Sequence, residues 1–281
     1  MLLPEFYIDD IIKRALSEDI NYIDMATDLL IPEDSVSTAE FVSKAEGTLS
    51  GIDCALRTFT FIDSDVKSEI FIHDGETVKK GDVIAKVCGR TRSILKAERT
   101  SLNILQHMSG VATATARLVK ACEGTNVSIA DTRKTLPGLR AMEKYSVWVG
   151  GGRNHRFNLS DGAMLKDNHI DAYGSITGAV EELRKKIGHM VKIEVEVRNE
   201  AELWEAMNCG ADVIMLDNMT PGQMAECVKI AGGKALLEAS GNIDESNIAE
   251  VARTGVDIIS SGAITHSVKA FDISLKIAKN K

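Results

Sequence analysis

Six short apolar runs in the second half of the chain each end on residues able to do acid–base, anion-binding or metal chemistry. Asp131 follows VSIA, Lys166 follows AML, Glu196 follows VKIEV, Asp217 follows VIML, Glu238 and Ser240 lie in LLEAS, and Ser260-Ser261-Gly262 follows VDII. Buried charge is costly unless it is paired or used, so ionisable residues at equivalent ends of successive runs mark one shared site. Alternation sets Glu194 on the same strand face as Glu196, with Glu196 nearer the strand end. Glu196 and Asp217 facing a common cavity could form an acid–base pair or hold a hard divalent ion through oxygen. The basic surroundings favour magnesium beside phosphate.

Those surroundings run from Asp131 to His169, where Arg133, Lys134, Arg140, Lys144, Arg153, Arg156 and Lys166 outnumber Asp131, Glu143, Asp161 and Asp167. The chain as a whole carries a net charge of −8. A cationic island in an acidic protein focuses a small polyanion, while the remaining surface repels nucleic acid. Arg133 and Lys134 directly follow a strand, and Arg156 follows His155 in a Gly-rich segment, so these face a ligand. Arg140 and Lys144, four apart on an expected helix, read equally well as an ordinary mixed-charge helix surface. The planar fork of arginine suits carboxylates, and the compact charge of lysine suits phosphate oxygens. Two strand-end loops, Ser240-Gly241-Asn242 and Ser261-Gly262-Ala263, can offer backbone N–H groups to a phosphate, with His266 just beyond the second. Ser-Gly is a common turn, so each loop alone is a weak signal, and their placement on successive late strands strengthens it.

The elements that must position these residues follow from periodicity. The apolar runs begin at Val127, Ala163, Val191, Asp212, Ala235 and Val256, and between them SITGAVEELRKKIG, NEAELWEAMNCG and TPGQMAECVKIAGG open at Ser, Asn or Thr and close at Gly. Strand and helix alternating at near-equal spacing predict a parallel sheet closing toward a barrel, and no G-x-G-x-x-G follows a strand. Earlier in the chain, a helix starting at Pro4 carries the stripe Ile8, Ile11, Ile12, Ala15 and Leu16. Two-residue alternation between Thr38 and Cys88, punctuated by Asp74-Gly75 and Gly81-Asp82, predicts strands and tight turns. Ala97 to Lys120 then predicts one or two helices, with a domain boundary near Gly110.

Composition sets the class. A length of 281 residues with 44% hydrophobic and 26% charged residues describes a folded chain of one to two domains. Cys54, Cys88, Cys122, Cys209 and Cys227 are scattered without a C-x-x-C pair, which predicts buried thiols in a reducing cytoplasm, with neither a zinc site nor disulfides. MLLPEFYIDD lacks a basic leader, and the charge-free run Ser101–Ala116 is interrupted by Gln, Asn, His, Ser and Thr, so neither a signal peptide nor a membrane span is expected.

In order, the segments ERTSLNILQHMSGVAT, ADTRKTLPGLR, EKYSVWVGGGRNHRFNLSDGAMLKDNHI, IEVEV, VIMLDN, LEASGNI and ISSGAITHS resemble the quinolinate phosphoribosyltransferase family, also called nicotinate-nucleotide pyrophosphorylase (carboxylating). SEDINYIDMATDLL and HDGETVKKGDVIAKVCG extend the resemblance over essentially the whole chain. It implies transfer of a phosphoribosyl group from phosphoribosyl pyrophosphate to quinolinate, giving nicotinate mononucleotide, pyrophosphate and carbon dioxide in NAD biosynthesis, with magnesium and no organic cofactor. It also implies an α/β fold: an open-faced α/β sandwich domain over 1–110, completed by the tail 268–281, beside an incomplete α/β barrel over 111–267, with parallel strands and the active site at their C-terminal ends. The implied assembly is a homodimer, with a higher oligomer left open.

Carried over residue by residue, the resemblance gives Arg133, His155 and Arg156, with Thr132 beside them, to the quinolinate carboxylates, and Arg99 to a contribution across the dimer interface. Lys134 and Lys166 fall near phosphoribosyl pyrophosphate and the reacting carboxylate. Glu196 and Asp217 fall near the ribose hydroxyls and magnesium. The loops Ser240-Gly241-Asn242 and Ser261-Gly262-Ala263, with His266, match the cradle of the 5′-phosphate. Three positions depart from the family pattern: His107 stands where Arg is common, Leu136 where Thr is usual, and Trp148 occupies a variable spot. Three rivals use other residues: a divergent relative of molybdenum-transport-associated type on the same scaffold, a Schiff-base lyase acting through Lys166, and a biotinyl or lipoyl carrier acting through Lys79 or Lys80. The intact KDNHI segment disfavours the first.

Overall fold

Proline at position 4 lacks the N–H that a helix start leaves unused, and the chain turns helical directly after it. The structure, a computed structural model, describes residues 3–278. Residues 1, 2 and 279–281, part of the MLLPEFYIDD stretch and of the 268–281 tail, lie outside the described residues. The chain runs through α1 (Glu5–Asp19), α2 (Met25–Leu30), β1 (Val36–Ser43), β2 (Gly47–Thr48), α3 (Ile52–Ile62), β3 (Lys67–Ile70), β4 (Thr77–Val78), β5 (Val83–Arg90) and α4 (Thr91–Ala121). It continues through β6 (Ser128–Ala130), α5 (Arg140–Val149), β7 (Ala163–Leu165), α6 (Asp167–Tyr173), α7 (Ile176–Lys186), β8 (Ile193–Val197), α8 (Glu200–Asn208) and β9 (Val213–Asp217). The last elements are α9 (Pro221–Ala231), β10 (Leu236–Ser240), α10 (Ile248–Ala252), β11 (Ile258–Ser260), α11 (Ala263–His266) and β12 (Ile273–Ile277).

Two compact units result, one of residues 3–116, 136–151 and 267–278, the other of 117–135 and 152–266. The expected boundary near Gly110 falls inside α4, which is one continuous helix. Segment 136–151 groups with the first unit for a physical reason. Met142 of α5 packs among Ile8, Ile11, Ile12, Cys54 and Met108, the buried Ser50 hydroxyl donates to Ser146, and the Tyr145 hydroxyl donates to Asp74. Glu143 and Lys144 are fully buried there, so the expectation of a solvated mixed-charge surface at Lys144 is corrected.

In the first unit a four-stranded sheet has the order β12-β1-β5-β3, with β1 antiparallel to both neighbours. Alternation along β1 turns Ala39 and Phe41 inward, where they meet Phe59 and Ala55 of α3, Val87 of β5, and Ala97, Leu102 and Leu105 of α4. Phe41 and Phe59 meet edge to face at 5.9 Å. β2 and β4 form a separate two-stranded sheet, and the four-stranded sheet with helices packed on its inner face is the open-faced sandwich that the family resemblance implies.

The second unit holds a six-stranded sheet in the order β6-β11-β10-β9-β8-β7. Every pairing is parallel. All six apolar runs are its strands. The first strand lies beside the last, as barrel closure requires, while β6 and β7 remain unpaired with each other. On the open side Arg153 of the β6–β7 connection bridges Ala130 in parallel. The sheet is an incomplete α/β barrel. Among the described residues no helix is long and apolar enough to cross a membrane.

The tail that carries β12 reaches α4 at Gly110, where an added Cβ would lie 2.5 Å from the Lys269 carbonyl oxygen. A backbone atom cannot swing aside as a side-chain tip can. Gly110→Ala is therefore expected to destabilise the protein by about 1–3 kcal/mol, the usual cost of overpacking, read as a lowered melting temperature. An unchanged melting temperature would show that the tail yields without cost.

Candidate active site

The strand ends converge on a cavity of about 350 Å³ lined by Thr132, Arg133, Lys134, His155, Arg156, Met164, Lys166, Glu196, Met215, Asp217, Glu238, Ser240 and Ser260. Asp217, Ser240 and Ser260 are the last residues of β9, β10 and β11, so the cavity occupies the C-terminal face of the barrel. Nine of the sequence-predicted residues thus share one space, and the rest divide into two groups. Gly241, Asn242, Ser261, Gly262, Ala263 and His266 continue the chain beyond Ser240 and Ser260. Arg99 lies in the first unit, in a separate cavity of about 340 Å³ with Glu18, Asp19, Asn103 and His107.

The β6–β7 connection is anchored by Asp131, which is fully buried. Its carboxylate accepts the Asn154 side-chain amide at 2.6 Å and the His155 backbone N–H at 2.9 Å. The His155 ring is fixed at both nitrogens: the Arg156 N–H donates to Nδ1 at 2.7 Å, and Nε2 lies 2.9 Å from Glu194. Nδ1 is therefore an acceptor, which places the ring proton on Nε2, aimed at Glu194. Arg156 donates to the Gly162 carbonyl at 2.8 Å. Burial first and the Arg133 charge second pull its pKa below the ordinary arginine value, and the guanidinium stays protonated.

On the opposite wall Lys166 Nζ donates to Glu196 at 3.0 Å, and Asp217 accepts the Asn218 side-chain amide at 2.7 Å. Both carboxylates bring hard oxygens into the cavity. Magnesium keeps several waters and takes one or two carboxylates, so the pair fits it. Among the described residues His155, Glu194 and Glu238 also bring three ligand atoms within 4.8 Å of one another. That trio fits a metal poorly. Nε2 carries the proton, and moving it to Nδ1 would set two N–H groups face to face.

Lys134 reaches the loop after β11. A Cβ on Gly262 would stand 2.8 Å from Lys134 Cδ and 3.0 Å from His266 Nε2, and Thr265 Oγ1 donates to the Lys134 carbonyl at 2.7 Å. Gly241 has φ +104°, and a Cβ there would meet Asn218 Oδ1 at 2.3 Å. Both loops thus need glycine for close approach. The buried Ser261 hydroxyl ties them together by donating to the Ile243 carbonyl at 3.1 Å. Lys166, half exposed and ion-paired, lacks the apolar enclosure a Schiff-base lysine needs.

Sequence reasoning gave no role to Glu238 and none to Glu194 beyond its strand face, and it missed Asn154 and Asn218 altogether. Alternation within IEVEV was the available signal for Glu194. Nothing in sequence shows that Glu238 lies 3.8 Å from the same imidazole. Burial first and the Glu194 charge second push the Glu238 carboxyl up to about 7. In the first unit His107 donates to or accepts from the buried Glu143 at 2.8 Å, and the Leu136 backbone N–H donates to Glu143 at 3.1 Å. The Leu136 contact is backbone, so it does not depend on the side chain that departs from the family pattern.

Comparison with known proteins agrees with this geometry. Residues 24–109 match the family model of the quinolinate phosphoribosyl transferase N-terminal domain, and residues 111–276 match that of the C-terminal domain. The probable nicotinate-nucleotide pyrophosphorylase (carboxylating) of Bacillus subtilis is 44% identical over 260 residues, covering 92% of this chain and 90% of that protein. The structure of NadC from Streptococcus pyogenes is similar at TM-score 0.96 and 40% identity, covering 99% of each chain. The nicotinate-nucleotide pyrophosphorylase of Francisella tularensis is similar at TM-score 0.93 and 40% identity, covering 99% of this chain and 98% of that one. With both domain models matched in sequence and the parallel barrel carrying a cationic cavity at its strand ends, the chain belongs to the quinolinate phosphoribosyltransferase family.

Proposed function

We infer that this chain is a pentosyltransferase that moves the phosphoribosyl group of phosphoribosyl pyrophosphate to the nitrogen of quinolinate, with loss of carbon dioxide, to give nicotinate mononucleotide and pyrophosphate in NAD biosynthesis. The observation that carries the assignment of roles is the single cavity joining Arg133, Arg156, Lys134 and Lys166 to Glu196 and Asp217. Two adjacent carboxylates on a pyridine ring call for arginine forks, and Arg133 and Arg156 supply them. His155 presents a fixed ring edge beside them, and Thr132 stands next to Arg133. Lys134 and Lys166 neutralise pyrophosphate and the reacting carboxylate. The loops Ser240-Gly241-Asn242 and Ser261-Gly262-Ala263, with His266, take the 5′-phosphate.

Displacement at the ribose carbon passes through an oxocarbenium-like state, which Glu196 and Asp217 offset with negative charge. The same pair would hold magnesium, which when bound would supply charge neutralisation for the departing pyrophosphate. The chain contributes orientation and charge compensation. Arg99 lines a cavity of the first unit, and in this reading the chain forms a homodimer in which one subunit lends Arg99 to the site of the other. Cys54, Cys122 and Cys227 are buried as expected, whereas Cys88 is exposed and Cys209 half-buried; scattered cysteines suit the reducing, cytoplasmic setting of this reading.

Carboxyl-labelled quinolinate with phosphoribosyl pyrophosphate and magnesium is expected to release both carbon dioxide and pyrophosphate, and nicotinate offered as acceptor neither. Omission of magnesium should abolish both. Absence of release from folded protein under every condition would move the assignment to another substrate on this scaffold. Arg133→Ala is expected to weaken quinolinate binding roughly 10- to 100-fold, the 1.5–3 kcal/mol of a charged hydrogen bond, while changing phosphoribosyl pyrophosphate binding by less than about threefold. Calorimetry with each substrate separately checks this, and equal losses would mean that the cations of the cavity are wrongly divided between the two ligands.

A further inference from the structure

Glu238 lies between two cavities. On the C-terminal side is the substrate cavity. On the other side is a cavity of about 630 Å³ whose lining includes Ser128, Val213, Leu236 and Ile258, the first residues of β6, β9, β10 and β11. Glu238, third of five residues in β10, lines both. Its side chain is almost wholly buried, and its Oε1 makes no hydrogen bond.

The reaction leaves an unfilled requirement. Quinolinate carries a carboxylate at the ring carbon beside nitrogen, and the product carries hydrogen there. Once nitrogen is ribosylated, the C2–carboxylate bond breaks, its electron pair stays on C2 beside the cationic nitrogen, and carbon dioxide leaves. A proton must then be delivered to C2.

The candidates in the cavity differ. Arginines do not release protons. Lys134 lies against Gly262 and His266, in the loop assigned to the phosphate, and the Lys166 ammonium is engaged by Glu196 at 3.0 Å. His155 directs its proton away from the cavity to Glu194 and accepts at Nδ1. Two carboxyl groups share the space beside that ring, and the distances rank them: Glu194, at 2.9 Å from Nε2, accepts its hydrogen bond, while Glu238, at 3.8 Å, is too far to do so. The two carboxyl groups lie within 4.8 Å of each other in a buried site, which raises the proton affinity of Glu238, the one without the short contact. Burial and then the Glu194 charge act on Glu238 in that direction, with Asp131 adding least, while His155 and the Ser260 hydroxyl oppose them.

We propose that Glu238 delivers the proton that replaces the departing carboxylate at C2 of the pyridine ring. The C2 electron pair takes the carboxyl proton, leaving the Glu238 carboxylate, and water in the cavity at the amino-terminal ends of the strands returns a proton to it for the next cycle. The proposal rests on the reading that quinolinate reacts in the barrel cavity.

The test forms product in an equal mixture of H2O and D2O and measures the C2–H to C2–D ratio of nicotinate mononucleotide, a ratio independent of which step limits the rate. Wild-type protein should favour hydrogen over the solvent ratio, and Glu238→Gln should shift that preference while lowering kcat roughly 100-fold, the scale of lost general-acid catalysis. Calorimetric affinity for quinolinate should change less than about threefold. Because the acid acts only while protonated, wild-type kcat should fall as pH rises through about 7, and Glu238→Gln should lack that fall. Glu238→Asp keeps an acid and should retain the wild-type preference, which serves if the Gln variant does not fold. An isotope ratio unchanged in Glu238→Gln, or unlike wild type in Glu238→Asp, overturns the proposal. Wild-type protein that forms no product from quinolinate overturns the reading of the site instead.

Discussion

Carboxylates inside the barrel must be compensated where they stand, and the way Asp131, Glu194 and Glu238 are compensated organises the site around them. Each is buried, and an unpaired charge in that setting would cost several kcal/mol. Asp131 is stabilised by the Asn154 amide and the His155 backbone N–H, which pins the connection after β6. Glu194 is stabilised by His155 Nε2, which fixes the ring and its tautomer. Glu238 has no such short partner, and burial with the Glu194 charge pushes its carboxyl up to about 7. Apolar residues would pack the interior at lower cost, so Asp131 and Glu194 are placed for the sake of the connection and the ring they hold.

Topology delivers the cations to the same place. The strand order puts β6 beside β11, although they are the first and last strands of the barrel. Lys134, just after β6, thereby meets Gly262 and His266, just after β11. The break between β6 and β7 has a use as well. A closed barrel would pair those strands, whereas here the connection itself enters the gap, with Arg153 bridging Ala130 and His155 and Arg156 following directly. The residues proposed to face a dicarboxylate thus come from backbone that a complete barrel would exclude.

The first unit is held by a different economy. Its sheet is completed by the C-terminal β12, which pairs with β1 over Ala39 to Ser43, and the close approach of that tail to α4 depends on Gly110. Its buried polar cluster around Glu143 joins His107 to the Leu136 backbone. A histidine there keeps an ion-pair partner for Glu143 when protonated and a hydrogen-bond partner when neutral.

All six barrel strands were legible in sequence because buried parallel strands are short, apolar and spaced by one helix. Asp217 and Ser240 were legible as strand ends, and Glu196 as an inward position set by alternation. The segment 136–151 was not, because a charged helix whose Glu143 and Lys144 are buried looks in sequence like any solvated helix. The division of labour between Glu194 and Glu238 was also hidden. Residue type and local periodicity determined which chemistry-bearing side chains face the barrel axis. Only the tertiary structure decided which of two glutamates touches His155, since that depends on differences of about an ångström between strands far apart in the chain, and at such distances the burial of charge converts geometry into protonation state.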